Sequence, residues 1–298
     1  MTQIEAARVG VLCSQGAQGT AIMRGLGDRG VSARAIGRRP SGAPPNGYCA
    51  DLGEADQLLV AFQGLTSLCF TMPLVYDRKT VRRYARNVAE AAVKAGVRRV
   101  VFNSNTRIPP SPTDVAGFET RRDAEMILRE SGLPVVVIRP TIYLENLLAP
   151  AVLHGIETDG VLAYPVPAEA RIAWLGLRDL GAVAAAVLER EDVTPPVIEV
   201  GGADLTGPEL AGHISHRLGR ELAFVSVAPR DFEAGLAKVL GEDAARGVAG
   251  LYHWLQRHPD SGLMSGSETQ ARAGIEPTSI IEWAEATWPS SSNGADRS

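Results

Sequence analysis

The chain has 298 residues, 45% of them apolar and 21% charged, with a formal net charge of -4. That is the composition of an ordinary globular protein, long enough for one large α/β domain with a smaller lobe. No basic excess draws in phosphate backbones, which argues against nucleic acid as the main ligand.

The first ten residues, MTQIEAARVG, lack the basic-then-apolar pattern of a secretory leader. Five short apolar runs follow: 8–13, 31–37, 65–71, 98–104 and 134–140. Helix-like stretches lie at 18–29, 54–63, 77–95 and 119–132. Strand thus alternates with helix, which predicts a doubly wound parallel sheet covered on both faces. Ala95-Gly96 and Ser131-Gly132-Leu133-Pro134 are helix stops, since glycine suits the left-handed position after a last turn. Segment 105–117 has three prolines and no periodicity, so it reads as a long loop.

After residue 145 the alternation weakens. A helix is expected over 176–190 and a strand over 196–200. Thr206-Gly-Pro-Glu209 is a capping box that opens a helix over 207–218, and a less apolar helical segment covers 230–258. The division expected is a Rossmann-type core over 1–150, completed by about 176–200, a substrate lobe mainly over 151–288, and a disordered tail over 289–298. No apolar run approaches the ~20 residues of a membrane-spanning helix, so no membrane partner is expected. Cys13, Cys49 and Cys69 form no C-x-x-C pair, and a reducing cytoplasm is the expected compartment.

The strongest motif is the small-residue turn Cys13-Ser14-Gln15-Gly16-Ala17-Gln18-Gly19 between the first strand and the first helix. A helix N-terminus has unpaired N–H groups and the positive end of the helix dipole, so it suits a pyrophosphate. Gly16 would admit the phosphates to the backbone, and Gly19 would let helix and strand pack closely. Three-glycine spacing would put the first glycine where Cys13 stands, and a bare structural turn fits the same residues. The second strand ends in Arg38-Arg39. An acid there would suit the ribose hydroxyl of NAD, whereas arginine suits the 2′-phosphate of NADP. Two solvated arginines are the alternative. Asp51 either faces the adenine or caps a helix.

Taken together, these pieces resemble the NmrA-like family of atypical short-chain dehydrogenase/reductases. The resemblance runs from residue 8 to about 240. It rests on CSQGAQG (13–19), Arg38, Asp51-Leu52, FTMP (70–73), AAVKAGVRRVVFNS (91–104), ESGLPVVVIRPTIYLENL (130–147) and LTGPELAGHISHRLGRELAFVSV (205–227). It implies a Rossmann-type fold with a smaller C-terminal substrate lobe, binding NADP with NADPH preferred over NADH. Carried over by position, Gly16, Gln18 and Gly19 would hold the pyrophosphate and Arg38 the 2′-phosphate, with Cys13, Ser14 and Gln15 also expected to bind the cofactor. Thr71, Met72, Pro73 and Asn103 would lie on the nicotinamide side, with Ser104 at the strand end. Arg121 stands where many members have a lysine approaching the cofactor.

The proton donor of classical short-chain reductases is missing. None of the six tyrosines has a lysine four residues later. Tyr143, Arg121 and Ser104 are therefore the candidate catalytic residues, Tyr143 as the alternative acid or as a packed tyrosine. Tyr143, Asn146 and His154 are the candidate substrate contacts, and Glu145 and Asn146 could equally brace the junction. His213 and His216 share a helix face, but no further ligand completes a metal set. The expected function is NADPH-dependent reduction of a small conjugated carbonyl or quinone-like acceptor by a monomer or homodimer, with loop 105–117 closing over the substrate. A sensor of NADP(H) without turnover and a non-redox isomerase, dehydratase or cyclase are the alternatives.

Overall fold

The computed structural model describes residues 8–39, 47–189, 196–266 and 274–288. The sheet is built in chain order from β1 (Val9–Leu12), β2 (Ala33–Gly37), β3 (Gly47–Cys49), β4 (Ser67–Thr71), β5 (Arg99–Asn103) and β6 (Val135–Pro140). Two short strands, β7 (Val161–Tyr164) and β8 (Ile172–Trp174), leave it, and β9 (Val197–Val200) rejoins it. The order is β3-β2-β1-β4-β5-β6-β9. Every pairing in it is parallel. The chain runs outward one way through β2 and β3, then returns to β4 on the other side of β1. Loops after β1 and β4 therefore diverge, and the crevice between them is where α/β sheets take their ligands.

Alternate strand residues face opposite layers, as a two-residue period requires. Leu12, Phe70 and Phe102 pack with α2 (Ala55–Phe62), α3 (Arg78–Lys94) and α4 (Ala116–Glu130). Val11, Cys69 and Val101 pack with α1 (Ala17–Asp28) and α6 (Leu177–Glu189). α5 (Pro150–His154) starts the later part of the chain, which continues with β10 (Ala203–Leu205), α7 (Gly207–Leu218), β11 (Ala223–Ser226), α8 (Pro229–Leu240), α9 (Glu242–Arg257) and α10 (Ile280–Thr287). A third apolar cluster joins these elements through Tyr164, Trp174, Leu210, Tyr252 and Trp283.

The expected elements form with shifted ends. The helix stops at Gly96 and Gly132 have φ of 75° and 82°. The capping box closes both ways: Glu209 N–H donates to Thr206 Oγ1 at 3.3 Å, and Thr206 N–H to Glu209 Oε2 at 2.8 Å. The segment expected as one helix over 230–258 is two, α8 and α9. Gly241 divides them with φ 82° and ψ 160°, a conformation open essentially to glycine alone. α4 begins at Ala116, not 119, which shortens the expected loop. The tail expected over 289–298 lies outside the described residues, among which no helix is long and apolar enough to cross a membrane.

α1 and α6 touch backbone to backbone. A Cβ on Gly25 would lie 2.4 Å from the Gly181 carbonyl, and one on Gly181 would lie 2.2 Å from Ala21 O. The two helices can cover the sheet together because neither glycine has a side chain. Gly181→Ala should lower unfolding free energy by about 1–3 kcal/mol in urea titrations, through overpacking at a rigid backbone contact. No change would show that the helices separate freely.

Candidate functional site

A cavity of about 910 Å³ lies over the carboxyl ends of β1, β2, β4, β5 and β6. At one end are the 13–19 turn, Arg38, Arg39 and Asp51; in the middle are Thr71 to Tyr76; at the other end are Asn146, Tyr164, Phe232 and Tyr252. The sequence-predicted residues Cys13, Gln15, Gly16, Gln18, Gly19, Arg38, Asp51, Thr71, Met72, Pro73, Arg121, Tyr143 and Asn146 all line it.

The turn has a specific geometry. Cys13 takes φ of 56°, the left-handed region that glycine fills without strain. Its carbonyl accepts from Gly16 N–H at 3.1 Å. A Cβ on Gly19 would lie 2.2 Å from that carbonyl, so α1 can start here only with glycine at 19. Gly16 is the N-cap, with φ -71° and ψ 161°, and no side chain caps the helix. A Cβ at Gly16 would meet only Cys13 O, at 3.5 Å. The first turn carries no acid. Thr20 N–H is the first to bond back, to Gly16 O, so the amides of Ala17, Gln18 and Gly19 have no partner within the helix. The cradle therefore fits a diphosphate. Arg38 adds positive charge beside it, and among the described residues no carboxylate forms an ion pair with Arg38. Burial pushes the Cys13 thiol up to about 11, against the opposing pull of Arg38.

Next to the turn is a side-chain network. Gln18 Oε1 accepts from Asn103 Nδ2 at 2.6 Å and from the Tyr143 hydroxyl at 3.2 Å. Asn103 Nδ2 also reaches Thr71 Oγ1 at 3.5 Å. The first turn of α1 is thus tied to the ends of β4, β5 and β6. Burial pushes the Tyr143 phenol far above its ordinary value, so its hydroxyl keeps its proton.

Arg121 is 1% exposed. Its guanidinium donates to Val75 O at 2.7 Å, Pro73 O at 2.9 Å and Thr120 Oγ1 at 3.1 Å. It also lies 4.8 Å from the centre of the Tyr76 ring. These bonds brace the 73–76 segment, which corrects the expectation of Arg121 as a catalytic group. Three further expectations are corrected. Ser14 is buried and donates to Ile36 O at 3.4 Å, away from the cavity. Ser104 is buried and donates to Thr106 O and Ile138 O, so it fastens the strand end. His154 is exposed at the end of α5 and does not line the cavity. Glu145 is a brace too, accepting from Leu177 N–H and Trp283 Nε1. From the 105–117 segment only Asn105, Thr106 and Gly117 reach the cavity. Phe232, Leu236 and Leu240 of α8 and Leu251 and Leu255 of α9 cover it instead.

Sequence reasoning missed Asn105, Tyr76, Tyr164 and Phe232. Asn105 has φ of 66°, its Nδ2 donates to Met72 O, and its Oδ1 is buried without a partner among the described residues. Its left-handed backbone has no signal in the sequence beyond asparagine's tolerance of it. The aromatic residues come from distant elements with no shared motif.

Fold and cavity define a Rossmann-type α/β protein with one long cleft across its switch point. The NmrA-like family model matches residues 5–285, and the chain belongs to that family. NAD(P)H azoreductase of Xenophilus azovorans is 28% identical over 181 residues, 59% of this chain and 60% of that one. Quinone oxidoreductase 2 of Escherichia coli is 28% identical over 194 residues, 64% of each chain. The chain thus aligns with 60% and 64% of the length of these curated relatives. Among solved structures, Citrobacter sp. triphenylmethane reductase complexed with NADP(H) superposes with a TM-score of 0.78 at 18% identity, over 94% of this chain and 100% of that one. NmrA, a negative transcriptional regulator, superposes with a TM-score of 0.72 at 17% identity, over 96% of each.

The left-handed backbone at Cys13 predicts an ordering of variants. Cys13→Gly should be more stable than Cys13→Val by roughly 1–2 kcal/mol in denaturant titrations, because a β-branched residue is strained at positive φ. Equal stabilities would mean that the turn relaxes to another conformation.

Proposed function

We propose that the chain is an NADPH-dependent oxidoreductase that reduces a small, neutral, conjugated acceptor such as a quinone. The observation that carries this reading is one cavity lined both by the 13–19 turn with Arg38 and by the aromatic residues Tyr164, Phe232 and Tyr252. The names of the azoreductase, quinone oxidoreductase and triphenylmethane reductase relatives support it.

The amides of residues 17–19 would hold the diphosphate at the start of α1. Arg38 would hold the 2′-phosphate through charge-assisted hydrogen bonds. Thr71, Met72 and Pro73 would flank the nicotinamide, on backbone that Arg121 fixes. The free Asn105 Oδ1 would accept from its carboxamide. Bound there, NADPH supplies a hydride at its ring C4. Tyr143 stays neutral and gives its one hydroxyl hydrogen to Gln18 Oε1, so it braces the first turn of α1 beside the nicotinamide side. A quinone needs little more, because its product oxygens take protons from water and positioning does most of the work. α5, β7, β8 and the elements from β10 onward would form the acceptor lobe, with α8 and α9 covering the cavity.

A sensor without turnover is the second reading. It is favoured by the likeness to the NmrA regulator and by the lack of a tyrosine-lysine donor. Absorbance loss at the nicotinamide band with a quinone panel separates the two: oxidation supports the enzyme, and binding without oxidation supports the sensor.

Arg38→Ala should weaken NADPH binding by ~1.5–3 kcal/mol and leave NADH binding nearly unchanged in calorimetric titrations. Equal loss for both would remove Arg38 from the 2′-phosphate. Because burial raises the Tyr143 pKa, its hydroxyl is un-ionised throughout the working range. The pH profile of kcat/KM should show no limb from Tyr143 between roughly pH 6 and 9. A limb abolished by Tyr143→Phe would contradict this assignment.

A further inference from the structure

The far end of the cavity holds an unusual set of donors. The hydroxyls of Tyr164 and Tyr252 lie 2.5 Å apart, and Asn146 Nδ2 lies 3.2 Å from the Tyr164 hydroxyl. All three side chains line the cavity. Two phenols and one primary amide carry four polar hydrogens. The two contacts use one hydrogen each. Two hydrogens are therefore left over, whichever way the amide is turned and whichever phenol donates.

These donors are held rigidly. Tyr164 is fully buried and Tyr252 is 5% exposed. Their rings meet edge to face at 5.5 Å. Phe232 packs on both, at 5.6 Å and 5.4 Å, and Trp174 packs on Tyr164 at 5.4 Å. Burial keeps both phenols neutral, with Tyr164 pushed up to about 12. The other lining of this end is apolar, from Leu236, Leu251, Leu255 and Met264. Such a chamber rejects charge, because nothing there would pair with it. It also penalises a ligand that leaves the buried donors unmatched.

We propose that Tyr252 and Asn146, oriented by the buried Tyr164 hydroxyl between them, form a specificity-determining anchor that donates hydrogen bonds to a neutral, acceptor-only oxygen of an aromatic ligand, as in a quinone or conjugated ketone. This rests on the acceptor-reductase reading and names the atoms that select the acceptor. A carbonyl oxygen has two lone pairs and no hydrogen, so it matches two surplus donors. A hydrocarbon leaves both donors unmatched, and a carboxylate brings a charge that no described group at this end would offset.

The test uses the full chain saturated with NADP⁺, with menadione as the quinone and naphthalene as the oxygen-free control. Titration calorimetry on the wild type, Tyr252→Phe, Asn146→Leu and the double variant of these two is combined with the infrared carbonyl stretch of bound menadione. Menadione affinity should fall about ten-fold or more in the double variant, while naphthalene affinity holds or rises. In the wild type the carbonyl stretch should move to lower frequency, and this readout needs no variant to fold. Unchanged menadione affinity in the double variant with naphthalene binding retained would overturn the proposal, and so would an unshifted stretch in the wild type. Failure of NADP⁺ to bind, with menadione still held and its stretch shifted, would overturn the cofactor reading and leave the anchor standing.

Discussion

The architecture of the site depends on one close contact, the approach of Gly19 to the carbonyl of Cys13. That contact lets α1 begin immediately after β1, inside the crevice where the sheet changes direction. It also leaves the first helical amides without partners and facing the cavity. A side chain at residue 19 would push the helix off the turn and close the cradle. The left-handed backbone at Cys13 is the cost of this turn, about 1–2 kcal/mol where glycine would have none.

From that turn, the polar groups serve to hold neighbouring pieces in place more than to react. Gln18 links the helix start to Asn103 and Tyr143, so the ends of β5 and β6 share one amide oxygen as their reference point, and Asn103 reaches on to Thr71 at the end of β4. Arg121 has no carboxylate partner among the described residues; backbone carbonyls and an aromatic face satisfy it instead. Burial pushes its pKa down, yet an arginine starts so high that it stays charged. A buried guanidinium bound to two carbonyls of one loop is a strong positional constraint on Pro73 to Tyr76. Tyr76 is in turn wedged against α9, since a Cβ on Gly247 would fall within 2.0 Å of its ring. The loop in the middle of the cavity is thus held from α4 and α9 at once.

Much of this was legible from residues alone, and the reason is local. The parallel sheet announces itself through short runs of Val, Ile and Phe, because both faces of each strand are buried. Gly19 marks the turn, because a Cβ there would strike the Cys13 carbonyl. Gly96, Gly132 and the Thr206-Glu209 pair mark helix ends by backbone chemistry that needs no tertiary context. What was not legible is non-local. Ser104 and Ser14 follow the right strands, but their hydroxyls turn to backbone carbonyls, and a strand end does not reveal which way a serine points. His154 sits at the end of a short helix whose orientation depends on packing. Gly241 splits α8 from α9, although the surrounding residues keep helical periodicity. Strands of three or four residues, such as β7 and β8, carry too few positions for a pattern, and the meeting of Tyr164 with Tyr252 spans 88 positions.

A crystal structure of the full chain grown with NADP⁺ tests the central claim most directly. The account predicts diphosphate oxygens within hydrogen-bond distance of the amides at the start of α1, with the 2′-phosphate against Arg38. A nucleotide bound elsewhere, or a crevice that side chains fill while the nucleotide is excluded, would contradict it.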